Sequence, residues 1–304
     1  MQRNRRKPKR CLIRCDLIPD FTKQGCRPVQ LPGGIFLGQV MARIALGIEY
    51  DGSGFCGWQT QPSGCSVQDA VERALAEVAG HAVATICAGR TDAGVHAIGQ
   101  VVHFDSDVDR PESAWIRGVN AHLPDAVAVQ WMLPVDAGFH ARFGALERRY
   151  RYVLLDHPVR PALNRNHVGW IHQRLQLEPM RLAAAGLLGE HDFSAFRASE
   201  CQAESPIRTL EQLNIERCGD YVVFEFAANA FLHHMVRNIV GSLVYVGAGR
   251  QPPEWMHELL AGRDRTRAAP TFSAAGLYLS RVRYDAKYAF PDQARRVWFN
   301  LAGS

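Results

Sequence analysis

The stretch Cys87-Ala-Gly-Arg-Thr-Asp-Ala-Gly-Val-His96 sets an arginine and an aspartate between two glycines at the end of an apolar run. Val83 to Cys87 reads as a buried strand. Gly89 and Gly94 supply the φ freedom with which a backbone turns tightly or passes close to a ligand. Arg90 and Asp92 are two apart, so on an extended loop both side chains project to one side and can pair. A guanidinium there keeps the carboxylate ionised, and its planar fork also stacks on a flat ring. That combination suits a poised nucleophile beside a nucleobase. An Asx-turn closed by a local ion pair accounts for the same residue types.

Outward from this loop, Gln100-Val-Val-His-Phe is a strand that returns beside Val83–Cys87 as a hairpin, because the connection is short. Upstream, Arg43 to Tyr50 reads as a strand and Asp51-Gly-Ser-Gly-Phe-Cys-Gly-Trp-Gln as a loop. Ser66 stands before Val67, Val71, Leu75 and Val78 at helical spacing, with Asp69 as the capping-box acid; this predicts a helix over about 66–79. Pro111 opens a helix through about Ala121, and Ala126 to Met132 is a further strand. The succession over 41–133 is that of an α+β layer, a mainly antiparallel sheet with helices on one face.

In the second half, Glu147-Arg-Arg-Tyr-Arg-Tyr-Val-Leu-Leu alternates so that Arg149 and Arg151 share one face and Tyr150 and Tyr152 the other. A helix around Pro179 to Leu188, a loop at His191-Asp-Phe-Ser-Ala-Phe and strands near Leu210 to Arg217 and Tyr221 to Ala227 follow. A long helical pattern then runs from Phe231 to Val246, with a short helix from about Pro253 to Leu260 and a closing strand around Gly276 to Tyr284. The similar element content suggests two pseudo-duplicated halves, 41–145 and 146–304. On the Phe231 helix, His234, Arg237, Asn238 and Gly241 share one narrow polar face, which either borders a cleft or ties helix to sheet. His233 and His234, adjacent on a helix, diverge by about 100° and so do not jointly ligate a metal. Asp92 and His96 lack a third ligand at metal-site spacing. Arg142, in Phe139-His-Ala-Arg-Phe, and the Arg148, Arg149, Arg151 group are candidates for phosphate or for plain solvation. Tyr50, Phe55 and Trp58 offer rings for base stacking or for the core.

Of the 304 residues 47% are hydrophobic and 21% charged, the proportions of an ordinary globular chain of about two domains. No run of eighteen apolar residues occurs, and the basic N-terminus is not followed by a clean apolar signal core, so a cytoplasmic protein without a membrane span is expected. The net charge is +5, but residues 1–40 hold nine Lys or Arg against Asp16 and Asp20, or +7, which leaves −2 for the remainder. Any polyanion contact of the body must therefore come from a local patch. Residues 1–40 read as a disordered basic extension, with Met41 a candidate translation start. The eight cysteines include no C-x-x-C pair, which signals neither zinc nor a disulfide framework and favours reduced thiols.

Seven pieces in order, Glu49-Tyr-Asp-Gly-Ser, Gly57-Trp-Gln, Ala88-Gly-Arg-Thr-Asp-Ala-Gly-Val-His, Gly99-Gln-Val-Val-His-Phe, Phe139-His-Ala-Arg-Phe, Arg149-Tyr-Arg-Tyr and His233-His-Met-Val-Arg-Asn-Ile-Val-Gly, make the chain from about Arg43 to Tyr284 resemble the tRNA pseudouridine synthase A family. The resemblance implies the pseudouridine synthase α+β fold, two halves meeting at a central cleft. It implies isomerisation of uridine at tRNA positions 38, 39 and 40, in the anticodon stem-loop, by a homodimer without metal or organic cofactor. By the same resemblance Asp92 is the catalytic nucleophile, Arg90 its ion-pair partner and the wedge beside a flipped nucleotide, and Tyr150 the aromatic under the uracil. Leu277 is an apolar wall of the same pocket, and Arg142, His234, Arg237 and Asn238, singled out above by their patterns, complete the candidate substrate-binding set. Breaking an N-glycosidic bond and rejoining C1′ to C5 suits an ionised carboxylate, acting at C1′, at C6 or on a 2′ proton. A non-catalytic RNA-binding module needs no carboxylate in its pocket. A zinc deaminase would need a His/Cys set with an acidic partner, and that signature is missing.

Overall fold

Ile44, Leu46 and Ile48 alternate with Ala45 along the first strand, and the two sets enter different cores because successive side chains leave a strand on opposite faces. The computed structural model describes residues 41–291. The basic extension 1–40 lies outside the described residues. Ten strands form one sheet: β1 (Ala42–Tyr50), β2 (Ile86–Cys87), β3 (His96–Ser106), β4 (Val127–Val135), β5 (Glu147–Asp156), β6 (Gly169–Ile171), β7 (Gly189–Asp192), β8 (Ile207–Cys218), β9 (Tyr221–Ala228) and β10 (Leu277–Arg283). Their order is β4-β1-β3-β10-β5-β9-β8-β7, with β2 beside β3 and β6 beside β5. Only the β10–β3 and β5–β6 pairs are parallel. The α+β reading is therefore correct, and the sheet continues unbroken past residue 145. The closing strand β10 pairs Tyr278 and Leu279 with His96 and Ala97 of β3 on one side and lies along β5 on the other.

The helices are α1 (Val67–Ala79), α2 (Val119–His122, continuing a π-helical turn at Ala114–Gly118), α3 (Leu177–Ala185), α4 (Met235–Gly247) and α5 (Trp255–Gly262). Val71 and Leu75 of α1, Met180 of α3, Ile239 and Leu243 of α4 and Leu259 of α5 all enter the main core. The start of α1 follows from its capping box: Ser66 Oγ accepts from the Asp69 amide while the Asp69 carboxylate accepts from the Ser66 amide.

Four expectations need correction. The strand before the Asp92 loop is only Ile86–Cys87, since Ile86 is exposed and Val83, though buried, forms no ladder. Residues 189–192, expected in part as loop, pair with β8 as an edge strand. Helix α4 begins at Met235 rather than Phe231, because His234 takes a left-handed conformation (φ 61°) that no α-helix continues through. Finally, Cys56 and Cys65 form a disulfide, while among the described residues Cys87, Cys201 and Cys218 are free.

Candidate active site

The Asp92 loop is built by two close backbone approaches. Val95 N–H donates to Asp92 O, closing a turn in which Gly94 has φ +76°, a conformation a side chain resists. Behind it Trp58 N–H donates to Thr91 O at 2.9 Å, and Gly57, at φ +101°, lies so close that a Cβ there would stand 2.8 Å from Thr91 O. Tyr50 Oη and Thr91 Oγ1, 2.7 Å apart, fix the loop to β1. Tyr50 and Trp58 are fully buried, so these two rings belong to the core and not to a base platform.

The loop delivers Asp92 into a cavity of about 1080 Å³ lined also by Arg90, Arg142, Tyr150, His233, His234, Arg237 and Leu277. Sequence-distant candidates thus come together around one cavity. Arg237 Nη1 donates to Asp92 Oδ2 at 2.8 Å while its Nε donates to Phe272 O at 2.9 Å. The carboxylate's partner is therefore Arg237, 145 residues away. Arg90, expected in that role, is exposed at the cavity wall and forms no ion pair with Asp92 among the described residues. The loop turns at Asp92, so the extended geometry that would align the two side chains is absent.

Tyr150 lies on the inward face of β5, its ring edge-on to Phe231 at 5.0 Å. Burial, with the Asp92 charge adding, pushes its phenol pKa well above the ordinary value. Leu277, at the first position of β10, is 5% exposed and borders the same cavity.

His233 Nε2 stands 3.3 Å from Asp92 Oδ1 and His234 Nε2 3.4 Å from Oδ2. The 100° divergence expected of them fails because both precede the helix. With Asp92 they could surround a cation, yet the Arg237 guanidinium already occupies Oδ2 and opposes added positive charge. Burial lowers the His234 pKa, with His233 and Arg237 opposing its charge as Asp92 favours it.

Asn238 does not reach the cavity. It is fully buried, its amide donating to Phe196 O and its carbonyl accepting from Thr271 Oγ1 and Arg265, so it ties α4 to neighbouring segments. Of the basic face of β5, Arg149 pairs with Glu147 and Arg151 with Glu225. Arg148 donates to the carbonyls of Ala88, Arg142, Ala145 and Asn229, which makes it a structural clamp. Arg142 stays at the rim over the exposed Phe143 ring. Arg208, in the wall with its Nε buried and unpartnered, was not singled out by sequence; one arginine in a strand carries no local signal.

A carboxylate fixed by one guanidinium thus lies in a large cleft beside a buried aromatic and an apolar wall, an arrangement of the kind enzymes use. A model of the tRNA pseudouridine synthase family matches residues 47–144 and 183–285. Tyr150 lies between these two blocks, while the Asp92 loop, Arg237 and Leu277 lie within them. Proteins named tRNA pseudouridine synthase A are similar along most of the chain. One from Thiobacillus denitrificans is 62% identical over 84% of this chain and 98% of its own length. Those of Burkholderia ambifaria and Dechloromonas aromatica are each 58% identical over 82% of this chain, and over 92% and 95% of their own. The chain belongs to the tRNA pseudouridine synthase family.

Proposed function

We propose that the protein isomerises uridine to pseudouridine at positions 38, 39 and 40 of the tRNA anticodon stem-loop, with Asp92 as nucleophile. The observation that carries this reading is the asymmetry of the Asp92 carboxylate. Oδ2 is held by Arg237 at 2.8 Å, whereas Oδ1 has only the looser approach of His233 Nε2 at 3.3 Å, and the residue lines the cavity. One oxygen is thereby positioned and the other left with lone pairs for chemistry, without a metal or organic cofactor in the step.

The uridine leaves its stack and enters the cleft against Tyr150 and Leu277, where its N1–C1′ bond breaks while the Asp92 carboxylate bonds the electrophilic carbon. The uracil turns, C5 bonds to C1′ as the carboxylate is released, the C5 proton is lost and N1 takes up a proton. Tyr150 serves as the ring platform, and its raised phenol pKa supports that role over acceptance of this proton. Arg90 and Arg142, exposed on the wall and rim, are placed to meet the RNA backbone or the vacated stack, and His234 borders the same pocket. The family resemblance also supports a homodimer in the cytoplasm as the working form, which light scattering with and without tRNA would test.

The deciding experiment is release of tritium from C5-labelled uridine in tRNA, followed by nucleoside analysis of the product. Release with pseudouridine at 38–40 is expected. Binding without release, or appearance of free uracil, would overturn the assignment.

A further inference from the structure

We propose that Cys56 and Cys65 are a reversible thiol–disulfide modification site that braces the wall behind the catalytic aspartate. The two residues are nine apart with Cα atoms 5.6 Å from each other, within the span a disulfide bridges without backbone movement. Cys56 is exposed and Cys65 half-buried, so both peroxides and dithiols have access. The fold does not depend on the bond, because Cys56 N–H already donates to Cys65 O at 3.1 Å and the chain has a large apolar core. A protein that acts on tRNA works where free thiols are kept reduced, and exposed disulfides there are as a rule transient or responsive to oxidants.

What the pair closes gives the site its consequence. The residues just after Cys56 are Gly57 and Trp58, whose backbone bears on Thr91 next to Asp92. Their carbonyls accept from Val67 and Gln68 in the first turn of α1. Cys65 immediately precedes the N-cap Ser66. The disulfide thus ties together the two ends of a loop wedged between the Asp92 turn and the helix start. Breaking it leaves the hydrogen bonds but releases segment 57–64 from covalent closure, which raises the freedom of the Trp58–Thr91 contact.

Cys65 is the better attacking thiol. It lies at the amino end of a 13-residue helix, and Ser63 Oγ is 3.0 Å from its Sγ, positioned to donate to a thiolate. Its thiolate displaces hydroxide from hydrogen peroxide, forming a sulfenic acid as the O–O bond breaks. The Cys56 thiol attacks that sulfur, and water leaves as the S–S bond forms. Two electrons pass from the sulfur pair to the peroxide. A dithiol returns two electrons and two protons by two successive exchanges.

The test uses the full chain, treated with hydrogen peroxide or with dithiothreitol. Peptide-level alkylation then maps the thiols, and hydrogen exchange is followed across 56–68 and 91–95. Residues 56 and 65 should resist alkylation after peroxide and regain it after dithiol, with faster exchange at Trp58 in the reduced form. Reduction should lower kcat/KM for tRNA by about threefold, and the double variant Cys56→Ser/Cys65→Ser should keep the reduced value in either condition. Full alkylation of both cysteines after peroxide, or identical exchange in the two states, would overturn the proposal. The activity arm rests on the isomerase reading and the thiol and exchange arms do not. Loss of turnover in both states with those two arms intact would therefore sink that reading alone.

Discussion

Asp92 and Asp51 are alike in one respect: each carboxylate faces two histidines within 3.4 Å. At Asp51 both carboxylate oxygens are engaged locally. Its Oδ1 accepts from the Ser53 amide and hydroxyl, and His167 Nε2 lies 3.0 Å from Oδ2. His96, stacked between His167 and Tyr278, contacts the carbonyls of Asn166 and Ala275 through Nε2 and accepts from Gly52 N–H at Nδ1. This knot joins the loop after β1 to the starts of β3 and β10. Asp92 has one firm donor and an open cavity. Asp51, although its side chain is 41% exposed against 19% for Asp92, is the less available of the two. Local hydrogen bonding, and not exposure, separates the two carboxylates.

The largest effect that would separate them is on turnover. Asp92→Asn keeps volume and removes the nucleophilic charge, and is expected to lower kcat at least about 1000-fold, roughly 4 kcal/mol, with tRNA affinity largely kept. Asp51→Ala is expected to stay within about fivefold in kcat and instead to lose about 1 kcal/mol of stability through its lost cap. Single-turnover tritium release and urea unfolding on both variants check this. A crossed result, with Asp51→Ala inactive and stable, would refute the distinction.

Next in size is Arg237→Lys. The lysine keeps a positive charge but offers one nitrogen where the guanidinium uses two, Nε to Phe272 O and Nη1 to Asp92, so Asp92 is expected to lose its fixed orientation. About a 100-fold loss in kcat with little change in KM is expected, and activity near wild type would mean that charge alone suffices.

Arg237 also marks where the sequence stops being informative. The capping box at Ser66 and Asp69 and the alternation through Arg149, Tyr150, Arg151 and Tyr152 are local patterns, and both elements form as read. The Asp92–Arg237 pair spans 145 residues and exists only because β10 enters between β3 and β5, a choice that no local periodicity records. Periodicity likewise extended α4 back to Phe231, since a left-handed His234 leaves no compositional trace as a glycine would. The motif identities still named Asp92, Tyr150 and Leu277, and all three border the cavity. They could not separate Arg237, which touches Asp92, from Asn238, which is sealed beneath it.

A smaller effect distinguishes histidines spent on structure from those at the cleft. His103 is buried, accepting from Ala141 N–H, and burial holds its pKa down to about 4. In the unfolded chain it titrates near about 6.5, so between these values the unfolded state binds the additional proton. Stability should therefore be constant above about pH 6.5 on this account and fall as pH drops toward 4, by at most about 3 kcal/mol. His96, also lowered by burial, adds in the same direction. Urea midpoints at several pH values should show this slope, and His103→Gln should flatten it. An unchanged slope would mean that His103 is not held neutral.

The smallest expected effect concerns the Tyr150 hydroxyl. Burial and the neighbouring Asp92 raise the phenol pKa, and the ring rests edge-on against Phe231, so the proposed role of this side chain is that of its flat face. Tyr150→Phe preserves that face and the packing, and should leave kcat within about threefold, below about 0.7 kcal/mol. Tyr150→Ala removes the platform and should cost far more, which keeps the Phe result interpretable. Comparing the two by single-turnover tritium release at several pH values gives the measurement. If Tyr150→Phe instead fell by two orders of magnitude while binding tRNA normally, the hydroxyl would be taking part in proton transfer, and the raised phenol pKa would have to be relieved when RNA fills the cleft.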